Sequence, residues 1–69
     1  MNEDFTVDEA ESRQILQRLK SEVFDGDSEK TAIAMGRPVD EIDGWLSGAE
    51  IDEDAQMKIH GIAKERLSE

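Results

Sequence analysis

The chain has 69 residues, of which 18 are acidic and 8 basic, for a formal net charge of −10. That length supports one small domain that buries roughly 60% of its unfolded surface, so its stability margin is thin and pairing with another chain would add to it. Cysteine is absent, which excludes disulfides and thiolate metal sites, and the charge opposes phosphate backbones and anionic membranes.

Residues 1–5 read as an N-terminal tail and 6–69 as a single domain. The first helix is expected to open at Thr6. Thr6-Val7-Asp8-Glu9 fits a capping box, and Phe5 is placed to staple back on Ala10. Ile15, Leu16, Leu19 and Val23 then share one helical face, with Phe24 continuing it to the stop signal Asp25-Gly26-Asp27. A short second helix follows, capped by Asp27 or Ser28, with Ala32, Ile33 and Met35 as its apolar face. Gly36 ends it in the left-handed conformation that glycine adopts most cheaply, and Pro38 suits the opening of the next helix.

The third helix is expected from about Val39 to Ser47, with Val39, Ile42, Trp45 and Leu46 on one side and Gly48 as its stop. Gly44 inside it costs on the order of 1 kcal/mol relative to alanine, so the helix is either tightly packed there or held by its neighbours. Asp52 is the natural N-cap of the fourth helix. Asp52-Glu53-Asp54 places negative charge at the positive end of the helix dipole, and Lys64 and Arg66 place positive charge at the other end. Ala55, Ile59, Ile62 and Ala63 form its apolar stripe. No strand alternation, repeat or long linker is evident, so the fold class is all-α, a small bundle of four to five helices.

Two short helices joined by a tight turn outline a helix-turn-helix. Ala32 is small where the helices cross, Gly36 turns the chain, Ile42 and Trp45 point inward, and Gly48 ends the second helix. This spacing resembles the λ-repressor/Cro-like (XRE-type) helix-turn-helix family. The resemblance is carried by Thr31-Ala32-Ile33-Ala34-Met35-Gly36, Ile42 and Trp45-Leu46-Ser47-Gly48, and it extends over about residues 10 to 67. Thr31 and Pro38 stand where that family commonly has leucine and a hydroxyl cap.

The resemblance implies DNA binding, with the third helix in the major groove and the start of the second helix near phosphate. Carried over by position, the reading face is Pro38, Val39, Asp40, Glu41, Asp43 and Gly44. The phosphate-proximal residues are Ser28, Glu29 and Arg37.

The chemistry of those residues opposes that use. Guanine is read by arginine or lysine and adenine by asparagine or glutamine, and the mapped face has none of these. From Pro38 to Met57 the chain has seven acids and no base. Counterion release needs several cations at phosphates, and only Lys30 and Arg37 lie close in sequence. Arg13, Arg18 and Lys20 on the first helix, and Lys58, Lys64 and Arg66 on the fourth, are interspersed with acids and read as ordinary surface pairing.

Other chemistries find little support. His60 is the only histidine, and it reads as a helix-flank residue. Asp52-Glu53-Asp54 lacks the glycine and spacing of an EF-hand loop. Trp45 reads as core and Met57 as part of an exposed apolar patch. No nucleophile–base pair or phosphate loop is present, and a chain this short has little room for a pocket of roughly 300 Å³. Neither an enzyme nor a cofactor or metal is expected. No apolar run approaches the roughly 20 residues of a membrane span. The acidic start Met1-Asn2-Glu3-Asp4 is unlike a signal or transit peptide, so a cytoplasmic location is expected.

The leading expectation is a helix-turn-helix module turned to protein–protein contact, of antirepressor, DNA-mimic or dimeric-adaptor type. Its partner would be a protein with a basic surface, itself as a homodimer, or both. The alternative is a sequence-specific DNA-binding regulator of the Cro/repressor type. A third reading is a stand-alone interaction domain that kept the fold, since fold does not fix function.

Overall fold

In the computed structural model, which describes residues 8–67, helix α1 spans Glu9–Arg18 and runs on into a π-helical turn, Leu19–Val23. Helices α2 (Ser28–Met35), α3 (Val39–Leu46) and α4 (Glu53–Arg66) follow, and the described residues contain no strand.

Helix α1 starts later than the capping-box pattern suggests. Asp8 is extended and its carboxylate accepts from the Ala10 and Glu11 amides at 3.0 and 3.4 Å. Aspartate is a strong N-cap and adds a negative charge at the helix dipole, which favours it for the role. Phe5 and Thr6, the expected staple and cap, lie outside the described residues.

The π-helical turn is set by burial. The Phe24 amide donates to the Leu19 carbonyl at 3.0 Å, the five-residue step of a π-helix. Leu19 is fully buried and Phe24 nearly so. The wider turn brings these two residues toward one face, where an α-helix would separate them. Asp25 and Gly26 then take left-handed conformations, φ 57° and 74°, that reverse the chain.

The expected bounds of α2 hold. Asp27 caps it, accepting from the Glu29 and Lys30 amides at 2.8 and 3.3 Å, and Gly36 at φ 71° ends it. Its buried face is Thr31, Ala32 and Met35, and Ile33 is 80% exposed. Residues spaced i, i+1 and i+4 define that face and leave Ile33 turned away from it. Thr31 is accommodated because its hydroxyl donates to the Asp27 carbonyl at 2.9 Å.

Pro38 is the N-cap of α3, which ends at Leu46 with Ser47 as its C-cap. A Cβ on Gly44 would be 3.7 Å from that of Ala49, an ordinary contact. Neighbouring elements therefore hold this helix, not close packing at the glycine. Asp52 caps α4 as its sequence predicts, accepting from the Ala55 amide at 3.2 Å.

Helix α1 packs on α4 and α3, and α2 packs chiefly on α3. The core between them comprises Leu16, Leu19, Phe24, Ala32, Met35, Ile42, Trp45, Ile51, Ala55 and Ile59. Ile15, Val23, Val39, Leu46, Ile62 and Ala63 pack around it partly buried.

Two polar devices fasten the bundle. Arg13 on α1 donates to the Trp45 carbonyl at 2.7 Å and to the Ala49 carbonyl at 2.9 Å. It thereby ties α1 to the C-terminal turn of α3, where the Trp45 carbonyl also accepts from the Gly48 amide, and to the loop that follows. Glu9 accepts from the Ile51 amide at 2.6 Å. Inside the bundle, Ser12 donates to the Gln56 side-chain carbonyl at 3.1 Å, and Gln56 donates to the Ile51 carbonyl at 2.7 Å. His60 Nε2 lies 3.2 Å from the Ser12 hydroxyl, so the half-buried His60 joins this network and is not merely a flank residue. Among the described residues, no buried side-chain polar atom lacks a partner.

Candidate functional site: the α2–α3 face

Each residue expected on the reading face falls on α3 or at its cap. Pro38, Asp40, Glu41 and Asp43 are exposed, and Val39 and Gly44 are half-buried. Asp40 and Asp43, one turn apart, are helix-surface neighbours. Ile42 and Trp45 take the inward side and are buried, Trp45 at 2% exposure. At the start of α2, Glu29 is exposed and Ser28 half-buried. The Ser28 hydroxyl donates to the Asp43 carboxylate at 3.1 Å, linking the first turn of α2 to the middle of α3.

Arg37 is placed differently from the phosphate-facing position expected of it. Its guanidinium is bidentate on Asp52, with Nη1–Oδ1 at 3.2 Å and Nη2–Oδ2 at 2.9 Å. Nη1 also donates to Glu41 at 3.2 Å, and the group lies over the Trp45 ring, 5.3 Å from its centroid. A planar guanidinium suits both a carboxylate fork and an aromatic face. The hydrogen bond from Arg37 holds the Asp52 carboxyl below the usual aspartate range, against the opposing effect of desolvation and with help from the Ala55 amide. The same contact with Asp52 raises Arg37 above its ordinary value.

The face is therefore acidic in space as well as in sequence. Among the described residues, Arg37 neutralises Glu41 and Asp52, and no ion pair involves Asp40, Asp43, Glu50, Glu53 or Asp54. Of the other cations near this face, Lys30 is 3.7 Å from Asp25, Arg13 is held by the Trp45 carbonyl, and the Lys58 ammonium lies beside Gly36. The acids of Asp52-Glu53-Asp54 serve the helix end, and no group of three or more metal-binding side chains occurs among the described residues.

Beside the acidic ridge lies an apolar groove that the sequence reading missed. Ala32, Ile33, Gly36, Arg37, Pro38, Val39 and Glu29 line an open hollow of about 560 Å³. A second hollow of about 410 Å³ lies between α1 and the end of α3, lined by Ala10, Arg13, Gln14, Gln17 and Leu46. Both exceed the pocket size that chain length led us to expect. The signal for the first was the position of Ile33, which is off the Thr31/Ala32/Met35 stripe. No local signal marked Arg13, because its partners Trp45 and Ala49 are distant in sequence.

No helix among the described residues is long and apolar enough to cross a membrane. No protein-family model matches the chain, and comparison with curated proteins and with solved structures gives no significant match.

Proposed function

We propose that this chain is a small helix-turn-helix protein that acts through protein–protein contact, presenting the acidic face of α3 to a basic surface on its partner. The helix-turn-helix reading is supported by two short helices about a left-handed glycine. Ala32 is buried on the first helix, and Ile42 and Trp45 are buried on the second. Regulation by contact with another regulator's basic face, as an antirepressor or DNA mimic, suits such a module.

The observation that carries this reading is the engagement of Arg37. It is the cation at the α2–α3 turn, and its guanidinium is occupied by Asp52, Glu41 and the Trp45 ring, while Arg13 at the far end of α3 is engaged by the Trp45 and Ala49 carbonyls. Turning it to a phosphate would break a bidentate pair and leave Asp40, Glu41 and Asp43 facing a polyanion, with repulsion that is weakly screened at groove distances.

The test is titration of the protein into a random-sequence pool of labelled duplex DNA at about 50 mM salt, where electrostatic attraction is strongest. No sequence should be enriched, and anisotropy should stay flat to roughly 100 µM, the weak end of the usual non-specific dissociation constants. Crosslinking in the native host should instead capture a basic protein. A variant with Asp40→Asn, Glu41→Gln and Asp43→Asn should lose that partner at least about tenfold in affinity. Enrichment of a specific operator would overturn the proposal in favour of a DNA-binding regulator.

A further inference from the structure

We propose that the groove between α2 and α3 docks a cationic amphipathic helix of the partner, seating an aliphatic side chain against Ile33 and Val39 and setting Lys or Arg beside Glu29 and Asp40. This deepens the protein–protein reading and rests on it. The floor and walls are mostly apolar, and Ile33 and Met57 are the only strongly exposed large hydrophobic side chains among the described residues. The single cation in the wall, Arg37, is neutralised by Glu41 and Asp52. Glu29 on α2 lines the groove and exposed Asp40 follows its lining residue Val39 on α3, while the Lys58 ammonium lies at the Gly36 end, 3.8 Å from where a Cβ on that glycine would stand, so the acidic border is the Glu29–Asp40 side. An apolar trough with an acidic border is complementary to a helix carrying apolar anchors at i, i+3 and i+4 flanked by bases.

A second copy of this chain fits the groove poorly. Each molecule carries a net charge of −10. A twofold contact brings the same patch of each copy together, so the acidic borders would oppose one another across the seam. A basic partner is drawn in by the same charges, which raise the association rate and make it salt-dependent, and the apolar anchor adds a component that salt does not screen.

The experiment is an amide NMR titration of the full chain with a synthetic helical peptide of leucine and lysine, its leucines at i, i+3, i+4 and i+7, in about 0.15 M salt. An oligolysine of equal charge is the control. Saturable shifts should centre on Ile33, Gly36 and Val39, and oligolysine should produce none there. Ile33→Gln should weaken binding about tenfold, in the range of a single interface anchor. Because Ile33 is exposed, this substitution spares the core, and an unchanged circular dichroism spectrum checks that it does. Glu29→Gln with Asp40→Asn should weaken binding about threefold and flatten its salt dependence.

Absence of saturable binding, shifts spread over α1 and α4, equal binding of oligolysine, or indifference to Ile33→Gln would each overturn the proposal. A dimer in sedimentation that Ile33→Gln dissolves would assign the groove to a second copy and also overturn it. If the groove fails while the DNA titration stays flat, only the groove assignment is lost. If duplex DNA binds specifically, the reading beneath both is lost.

Discussion

Arg37 follows the left-handed Gly36, and from that position its side chain reaches α3 and the cap of α4 together. Asp52 answers with both carboxylate oxygens while one of them also accepts from the Ala55 amide. The pair thus joins the α2–α3 turn to the start of α4 at a half-exposed site, where an ion pair's contribution is modest and salt-sensitive. Its pH dependence has a definite sign. The Asp52 carboxyl titrates lower in the folded protein than in the unfolded chain. Its contribution is therefore complete above the unfolded carboxylate range and is lost as pH falls through the folded value. Asparagine caps helices about as well as aspartate, so Asp52→Asn removes the charge and keeps the cap. In urea denaturation between about pH 6 and pH 2, the wild-type advantage over Asp52→Asn should be largest at the upper end and shrink to near zero at the lower end. The acids common to both proteins cancel in the difference. An advantage that grows on acidification would show that Arg37 does not hold Asp52 in its charged form.

The elements differ in how far local chemistry dictates them. Helix α2 was legible from end to end because Asp27 and Gly36 sit at its boundaries and act through bonds within one turn. The cap of α4 was legible for the same reason. The π-helical turn was not, since nothing in Leu19-Lys20-Ser21-Glu22-Val23 distinguishes it from α-helix, and it arises from the joint burial of Leu19 and Phe24. The start of α1 is set by Asp8, which is extended and whose carboxylate accepts from the Ala10 and Glu11 amides, a cap that the capping-box pattern at Thr6 passes over. For the candidate site, the acidic face of α3 could be read by counting, whereas the pairing of Arg37 with Asp52 joins residues 15 apart in sequence that no periodicity connects. Helix α4 also carries a residue that local chemistry disfavours. Gly61 lies within this 14-residue helix, is exposed, and a Cβ there would meet nothing within 4 Å. Gly61→Ala should therefore stabilise the fold by about 1 kcal/mol, through lower backbone entropy in the unfolded chain and better helix propensity. The measurement is the urea midpoint at constant slope, and a lower midpoint would mean that the open space at Gly61 serves something other than α4 itself.

At the scale of the whole molecule, the small core and the large charge act against one another. A domain of this size has little stability in reserve, and a net charge of −10 favours expansion through self-repulsion. The ion pairs that offset it among the described residues are at least partly solvent-exposed and short in reach. Salt acts on both, weakening the pairs and screening the repulsion. Repulsion should dominate this balance because acids outnumber bases 18 to 8 and because unpaired acids act over longer distances, where screening is strongest. The screening length falls from about 30 Å at 0.01 M to about 10 Å at 0.1 M salt, so most of the change occurs within that interval. Thermal unfolding in sodium chloride should show Tm rising by about 5 °C or more from 0.01 to 0.3 M, which corresponds to roughly 1 kcal/mol for a domain this small. Lysine-rich ligands should produce the same rise at far lower concentration, since a bound cation neutralises at a site what dissolved salt only screens. A Tm that falls with salt would mean that the attractive pairs outweigh the repulsion. The acidic face of α3 would then no longer have the unbalanced charge that draws a basic partner to it.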